Sequence, residues 1–210
     1  MTDQNYTAML MLLDRSGSMS SIREDMLGGI HELLQRQAQE EGFMTVDVLD
    51  FDDELNVQAI QVAPADLKVT LEPRGGTALY DAIGSGLNAF TQNMSQLPEH
   101  AQPAHVQVVV VTDGMENSSR EYNVTTVRNL VKQKTAAGWD FVFLGANQDA
   151  VLTGASLGFE QESSLTFGTK GKDVKGANDA LNRYISDKRK GEKKGFTTEE
   201  RFESNDQGEA

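Results

Sequence analysis

The 210-residue sequence contains no cysteine. Disulfides, thiolate metal sites and cysteine nucleophiles are therefore excluded, and a reducing compartment is permitted. Positive charge is scarce: 19 Lys and Arg stand against 32 Asp and Glu, a formal net charge of -13. Such a surface repels phosphate backbones and attracts cations, so general nucleic-acid binding is not expected. Long apolar runs are missing as well. The run at residues 6–13, YTAMLMLL, stops at Asp14 and is far too short to span a membrane. No basic residue precedes it, so no signal peptide is expected, and the expected address is the cytoplasm. Histidine is rare too, and His31, His100 and His105 share no ligand spacing.

The length suits one medium α/β domain plus a tail. Hydrophobic residues make up 38%, low for a compact domain, and the shortfall sits mostly beyond Lys188. The expected division is a domain over residues 1–189 and a polar, disordered tail over 190–210. Within the domain, apolar runs alternate with helical patterns. Residues 6–13 and 106–111 read as strands buried on both faces, and each run leads to an aspartate, Asp14 and Asp113. Ser21 and Glu24 have capping-box spacing ahead of a helix that buries Ile22, Met26, Ile30, Leu33 and Leu34, with Gly42 as its stop. Val46, Val48 and Phe51 belong to a second strand, and the short Asp52-Asp53-Glu54 turn makes residues 55–62 an antiparallel edge strand. Leu79, Ile83, Leu87 and Phe90 mark another helix, residues 124–137 a further one, and residues 141–144 and 164–167 two more strands. Asp173 is expected to cap a last helix carrying Val174, Ala177, Leu181, Tyr184 and Ile185. The pattern predicts a doubly wound, mostly parallel six-stranded sheet with one antiparallel edge strand and helices on both faces. Ligands of such sheets bind at the carboxyl ends of strands where strand order reverses, which would bring Asp14 and Asp113 to one crevice.

Asp14, Ser16 and Ser18 occupy alternate positions in a loop, where an extended backbone turns their side chains the same way. Asp113 adds a second carboxylate, and Thr77 follows Gly75-Gly76, which permits a close approach. All five are hard oxygen donors. That set favours Mg²⁺ or Mn²⁺ over zinc or copper, and Ca²⁺ less, because it prefers more carboxylates. At residues 14–19, 74–83 and 108–117, in that order, the chain resembles the von Willebrand factor type A family, most closely its compact bacterial or phage-type members. The resemblance implies a metal-ion-dependent adhesion site in which Ser16, Ser18 and Thr77 ligate the metal directly. Asp14 and Asp113 would act largely through water, and one position would stay open for an Asp or Glu of a protein partner. It further implies metal-dependent protein–protein interaction rather than catalysis, with an accessory role in an ATPase complex as one variant.

Other readings attach to nearby residues. Asp50, Asp52, Asp53 and Glu54 form either a second cation site or a solvated hairpin tip, the latter favoured. Arg74, Glu116 and Asn117 are candidates for the rim of the metal site and for partner contact, and Arg15 should point away from the metal. Thr77 could serve only as a helix N-cap. A metal-dependent phosphohydrolase is the alternative from another class. Phosphatases with a strand-end aspartate nucleophile carry a second aspartate two residues on, where this chain has Ser16, so the general acid/base is missing. No Walker phosphate loop is present.

Overall fold

The structure is a computed structural model that describes residues 2–146, 149–192 and 194–205. Strand β1 (Asp3–Asp14) is its spine, and Met9, Leu10, Met11, Leu12 and Leu13 are fully buried. Burial on both sides explains the unbroken apolar run. Met9, Met11 and Leu13 join a core with helices α1 (Arg23–Gln37) and α5 (Gly171–Arg189). Ala8, Leu10 and Leu12 join another with α2 (Leu79–Ser95) and α3 (Val124–Ala136). At about 25 cal/mol for each Å² of apolar surface, these two layers supply the main driving force of folding.

The remaining strands are β2 (Phe43–Phe51), β3 (Leu55–Val62), β4 (Pro103–Thr112), β5 (Asp140–Ala146) and β6 (Ser164–Phe167). The six-stranded sheet has the order β3-β2-β1-β4-β5-β6. Only the β2–β3 pair is antiparallel, as expected of an edge hairpin. The chain leaves β1 towards one edge and returns to place β4 on its other side, so strand order reverses between β1 and β4. Leu13 pairs with Val111, which sets Asp14 beside Thr112 at the carboxyl end of this reversal.

Several local expectations are corrected. Ser21 does not cap α1. Its hydroxyl donates to Ser18 O at 3.4 Å, and a 3-10 turn over Gly17–Ser21 feeds the helix instead. Helix α1 ends at Gln37, and Gly42, with φ of 89°, serves the turn into β2. Asp173 lies inside the first turn of α5, one residue beyond Lys172, and Lys170 holds the cap position. Helix α4 (Ala150–Ser156) was not expected, since seven residues give too little periodicity to detect.

The largest difference lies at the C-terminus. Helix α5 ends at Arg189, near the expected boundary, but the chain then folds back onto the domain. Phe196 is buried against Tyr184, with ring centroids 5.1 Å apart. Helix α6 (Thr198–Ser204) opens with a reciprocal capping box between Thr197 and Glu200. Arg183 donates to both Glu200 oxygens, at 2.7 and 2.5 Å, and Gly168 N–H donates to the carbonyl of the buried Ser204 at 2.9 Å. Mean composition conceals this docking because it rests on one aromatic anchor and one cap rather than on many apolar residues. Residues 206–210 of the expected tail lie outside the described residues.

Candidate metal centre

Asp14 closes β1 and is completely buried. Ser16 N–H donates to its Oδ1 at 2.6 Å and the Thr112 hydroxyl to its Oδ2 at 2.5 Å. The first bond bends the chain straight after the strand, an aspartate turn of the kind that short acidic side chains favour. The bend sets Ser16 Oγ 3.1 Å from Ser18 Oγ. Met19, fully buried, anchors the far end of this loop. The Ser18 hydroxyl donates to Asp113 Oδ1 at 2.6 Å, joining the loop after β1 to the loop after β4.

Thr77 is buried on the segment leading into α2. Its N–H donates to Asn117 Oδ1 at 2.9 Å, and Asn117 N–H donates to Thr77 O at 3.1 Å. The N-cap of α2 is Ala78, so Thr77 is not a helix cap. Gly114 shows where its side chain lies. A Cβ at this position would stand 2.5 Å from Thr77 Oγ1 and 3.4 Å from both Asp14 Oδ2 and Ser16 Oγ. Oxygens from two loops thus converge on one face of a glycine in the third, and with the Ser18–Asp113 bond the five residues expected from the sequence come together.

Burial pushes the Asp14 carboxyl up to about 6. The hydrogen bonds from Thr112 and Ser16 work against this rise, and the nearby Asp113 charge adds to it. Burial also raises Asp113, opposed by the bond from Ser18. Among the described residues no ion pair reaches either carboxylate. A buried carboxylate beside a half-buried one is costly without a cation, and a bound cation offsets that cost. The donors fit a hard divalent ion, because every one is an oxygen. No group of three or more His, Cys, Asp or Glu side chains suited to a metal occurs among the described residues. A cation here would therefore depend on hydroxyls for most of its protein donors.

No protein-family model and no curated protein matches the sequence. Solved structures do. Proximal thread matrix protein 1 of the mussel byssus, solved with a zinc-occupied MIDAS motif, superposes with a TM-score of 0.64 at 16% identity, over 86% of this chain and 46% of that one. The vWF domain of the type V pili tip protein Mfa5 from Porphyromonas gingivalis gives 0.63 at 11% identity, over 92% and 98%. A von Willebrand factor type A protein from Catenulispora acidiphila gives 0.54 at 15%, over 87% and 42%. The fold is that of a von Willebrand factor type A domain. This chain spans less than half the length of the mussel and Catenulispora chains and nearly all of the Mfa5 domain.

Around the candidate site, the rim candidates are engaged within the chain. Glu116 accepts from the N–H groups of Tyr80, Ser118 and Ser119 at 3.0, 3.0 and 2.8 Å and from the Ser119 hydroxyl at 2.7 Å. It thereby fastens the loop after β4 to the start of α2. Asn117 clamps Thr77, as described. Arg74 turns to Asp52, its Nε donating to Oδ2 at 2.6 Å. The acidic hairpin divides: Asp53 and Glu54 are exposed, as a solvated tip would be, whereas Asp50 and Asp52 are buried. Arg15 points away from the hydroxyls, as expected, and lies 3.6 Å from Asp50 and 3.3 Å from Asp52. Burial alone would raise Asp52, but bonds from Arg74 and Glu54 N–H and the two guanidiniums hold it below the usual range. Sequence reasoning missed Thr112 and Gly114. Their only signal is adjacency to Asp113, which does not reveal that they face Asp14 and Thr77.

Proposed function

We propose that this type A domain is a metal-dependent protein–protein recognition module. Ser16, Ser18 and Thr77 hold a divalent cation directly, Asp14 and Asp113 hold the serines and coordinated water in place, and the cation captures an acidic side chain of a partner. The observation that carries this reading is the convergence of the buried Asp14 and half-buried Asp113 carboxylates with three hydroxyls, with no basic side chain paired to either carboxylate among the described residues. Neutral hydroxyl ligands leave most of the positive charge on the ion, so it attracts an external carboxylate. The oxygen donors favour Mg²⁺ or Mn²⁺, and the zinc-occupied motif of the mussel protein supports a divalent ion at this place in the fold.

The module is not an enzyme on this reading. Both Asp14 oxygens are held by donors inside the protein and the residue has no exposed surface, which is poor placement for a nucleophile. Calorimetric titration with Mg²⁺, Mn²⁺, Zn²⁺ and Ca²⁺ tests the metal. Wild type should bind one divalent ion, and Ser16→Ala should bind far more weakly. Equal binding by both proteins contradicts the proposal.

A further inference from the structure

The acidic β2–β3 tip touches both loops of the candidate metal site. Arg15 N–H donates to Phe51 O and Ala78 N–H to Asp52 O, each at 2.8 Å, and Gly76 N–H donates to Asp53 Oδ2 at 3.0 Å. The loops also meet each other: Arg74 N–H donates to Arg15 O at 2.7 Å and Gly17 N–H to Gly75 O at 3.3 Å. At the centre lies the Asp52 carboxylate. Its Oδ1 accepts from Glu54 N–H at 2.9 Å, and its Oδ2 takes the Arg74 bond at 2.6 Å and faces Arg15 Nε at 3.3 Å.

We propose that Arg74 and Asp52 are a positioning pair for the metal site, holding the segment that presents Thr77 against the loop that presents Ser16 and Ser18. This inference rests on the metal-binding function proposed above. Thr77 lies three residues beyond Arg74, and Asn117 fixes it from the opposite side. With Arg74 bound to Asp52, the segment between is clamped at both ends. A ligand must be held within about 0.5 Å of its productive position, so loss of one clamp weakens metal binding without a change in any ligand.

Electrostatics alone predicts the opposite sign. Arg74 is a positive charge beside a cation site, so its removal by simple Coulomb repulsion should tighten cation binding. Its side chain is 60% exposed, so Arg74→Gln is compatible with folding. The test measures Mn²⁺ affinity and the water-proton relaxivity of bound Mn²⁺ in wild type, Arg74→Gln, Asp52→Asn, Thr77→Ala and the Arg74→Gln/Thr77→Ala double variant. The expected result for Arg74→Gln is about a tenfold loss of affinity. Relaxivity should rise as one more coordinated water replaces Thr77, as in Thr77→Ala, and the double variant should be no worse than Thr77→Ala. Asp52→Asn should behave like Arg74→Gln, with metal-free melting recorded for each protein. Unchanged or tighter binding by Arg74→Gln, or effects that add to those of Thr77→Ala with no change in relaxivity, overturns the pairing while leaving the metal site standing. If wild type and Ser16→Ala bind Mn²⁺ equally, both the metal site and the pairing fall.

Discussion

The Ser18 hydroxyl donates to Asp113 Oδ1 at 2.6 Å, a bond between residues 95 apart in sequence. It spans the point where strand order reverses, and because the hydroxyl donates, the carboxylate leaves the serine lone pairs available as acceptors. On the proposed reading, Asp113 orients a ligand as well as supplying charge. Asp113→Asn keeps the shape of the side chain but removes the charge. It should weaken Mg²⁺ binding by about 10–100-fold, the range for residues that orient metal ligands, with little change in metal-free melting. Calorimetry and thermal melting check both halves of this prediction.

Gly114→Ala probes convergence from another side. The added Cβ would lie 2.5 Å from Thr77 Oγ1, so the hydroxyl must move. Overpacking of this kind costs about 1–3 kcal/mol. The backbone at Gly114 is not in the left-handed region, so the fold should survive. Mn²⁺ affinity should fall more than tenfold. An alanine variant with wild-type affinity would show that Thr77 is not a ligand.

The raised Asp14 carboxyl gives a pH signature. In the folded, metal-free protein Asp14 holds its proton up to about pH 6, whereas its ordinary value is 3.8. The folded state thus binds the proton more tightly. Its stabilising contribution is fully present below about pH 4 and is lost as pH rises through about 6. At about 1.36 kcal/mol for each pH unit, this amounts to roughly 3 kcal/mol. Metal binding has the opposite dependence, because the cation requires the ionised carboxylate. The melting shift induced by Mg²⁺ should be clear at pH 7.5 and should shrink towards pH 5. Asp14→Asn should show neither the Mg²⁺ shift nor this part of the metal-free pH dependence. A Mg²⁺ shift of equal size at both pH values in wild type would contradict the assignment.

The docked C-terminal segment predicts a stability effect distinct from the metal. Phe196→Ala should cost about 3 kcal/mol, the lower end for a buried phenylalanine, and deletion of residues 194–210 should cost at least as much. Denaturant unfolding measures both. Mn²⁺ affinity should be unchanged in Phe196→Ala, because this residue packs on Tyr184 and not on the metal loops. Deletion without loss of stability would restore the tail expected from composition.

The sequence exposes the sheet well because β1 and β4 are buried on both faces. Each is a near-continuous apolar run, interrupted only by Thr7 in residues 6–13 and Gln107 in residues 106–111, and the aspartate beyond it marks the carboxyl end. The five candidate metal-site residues are legible for a related reason: they lie in loops whose polar residues interrupt strong strand and helix signals. What remained hidden depends on contacts between segments. Thr112 acts on Asp14 from the neighbouring strand, Asn117 holds Thr77 across 40 residues, and Asp52 sits between two arginines of different loops. No local periodicity records such pairings. Phe196 was hidden because a single anchor does not shift the mean hydropathy of a charged segment.

The most direct measurement is anomalous scattering from crystals grown in Mn²⁺. The account predicts one strong peak in the crevice bounded by Asp14, Ser16, Ser18, Thr77 and Asp113, absent from crystals of Asp14→Ala. At saturating Mn²⁺, an empty crevice in the wild-type protein would contradict it.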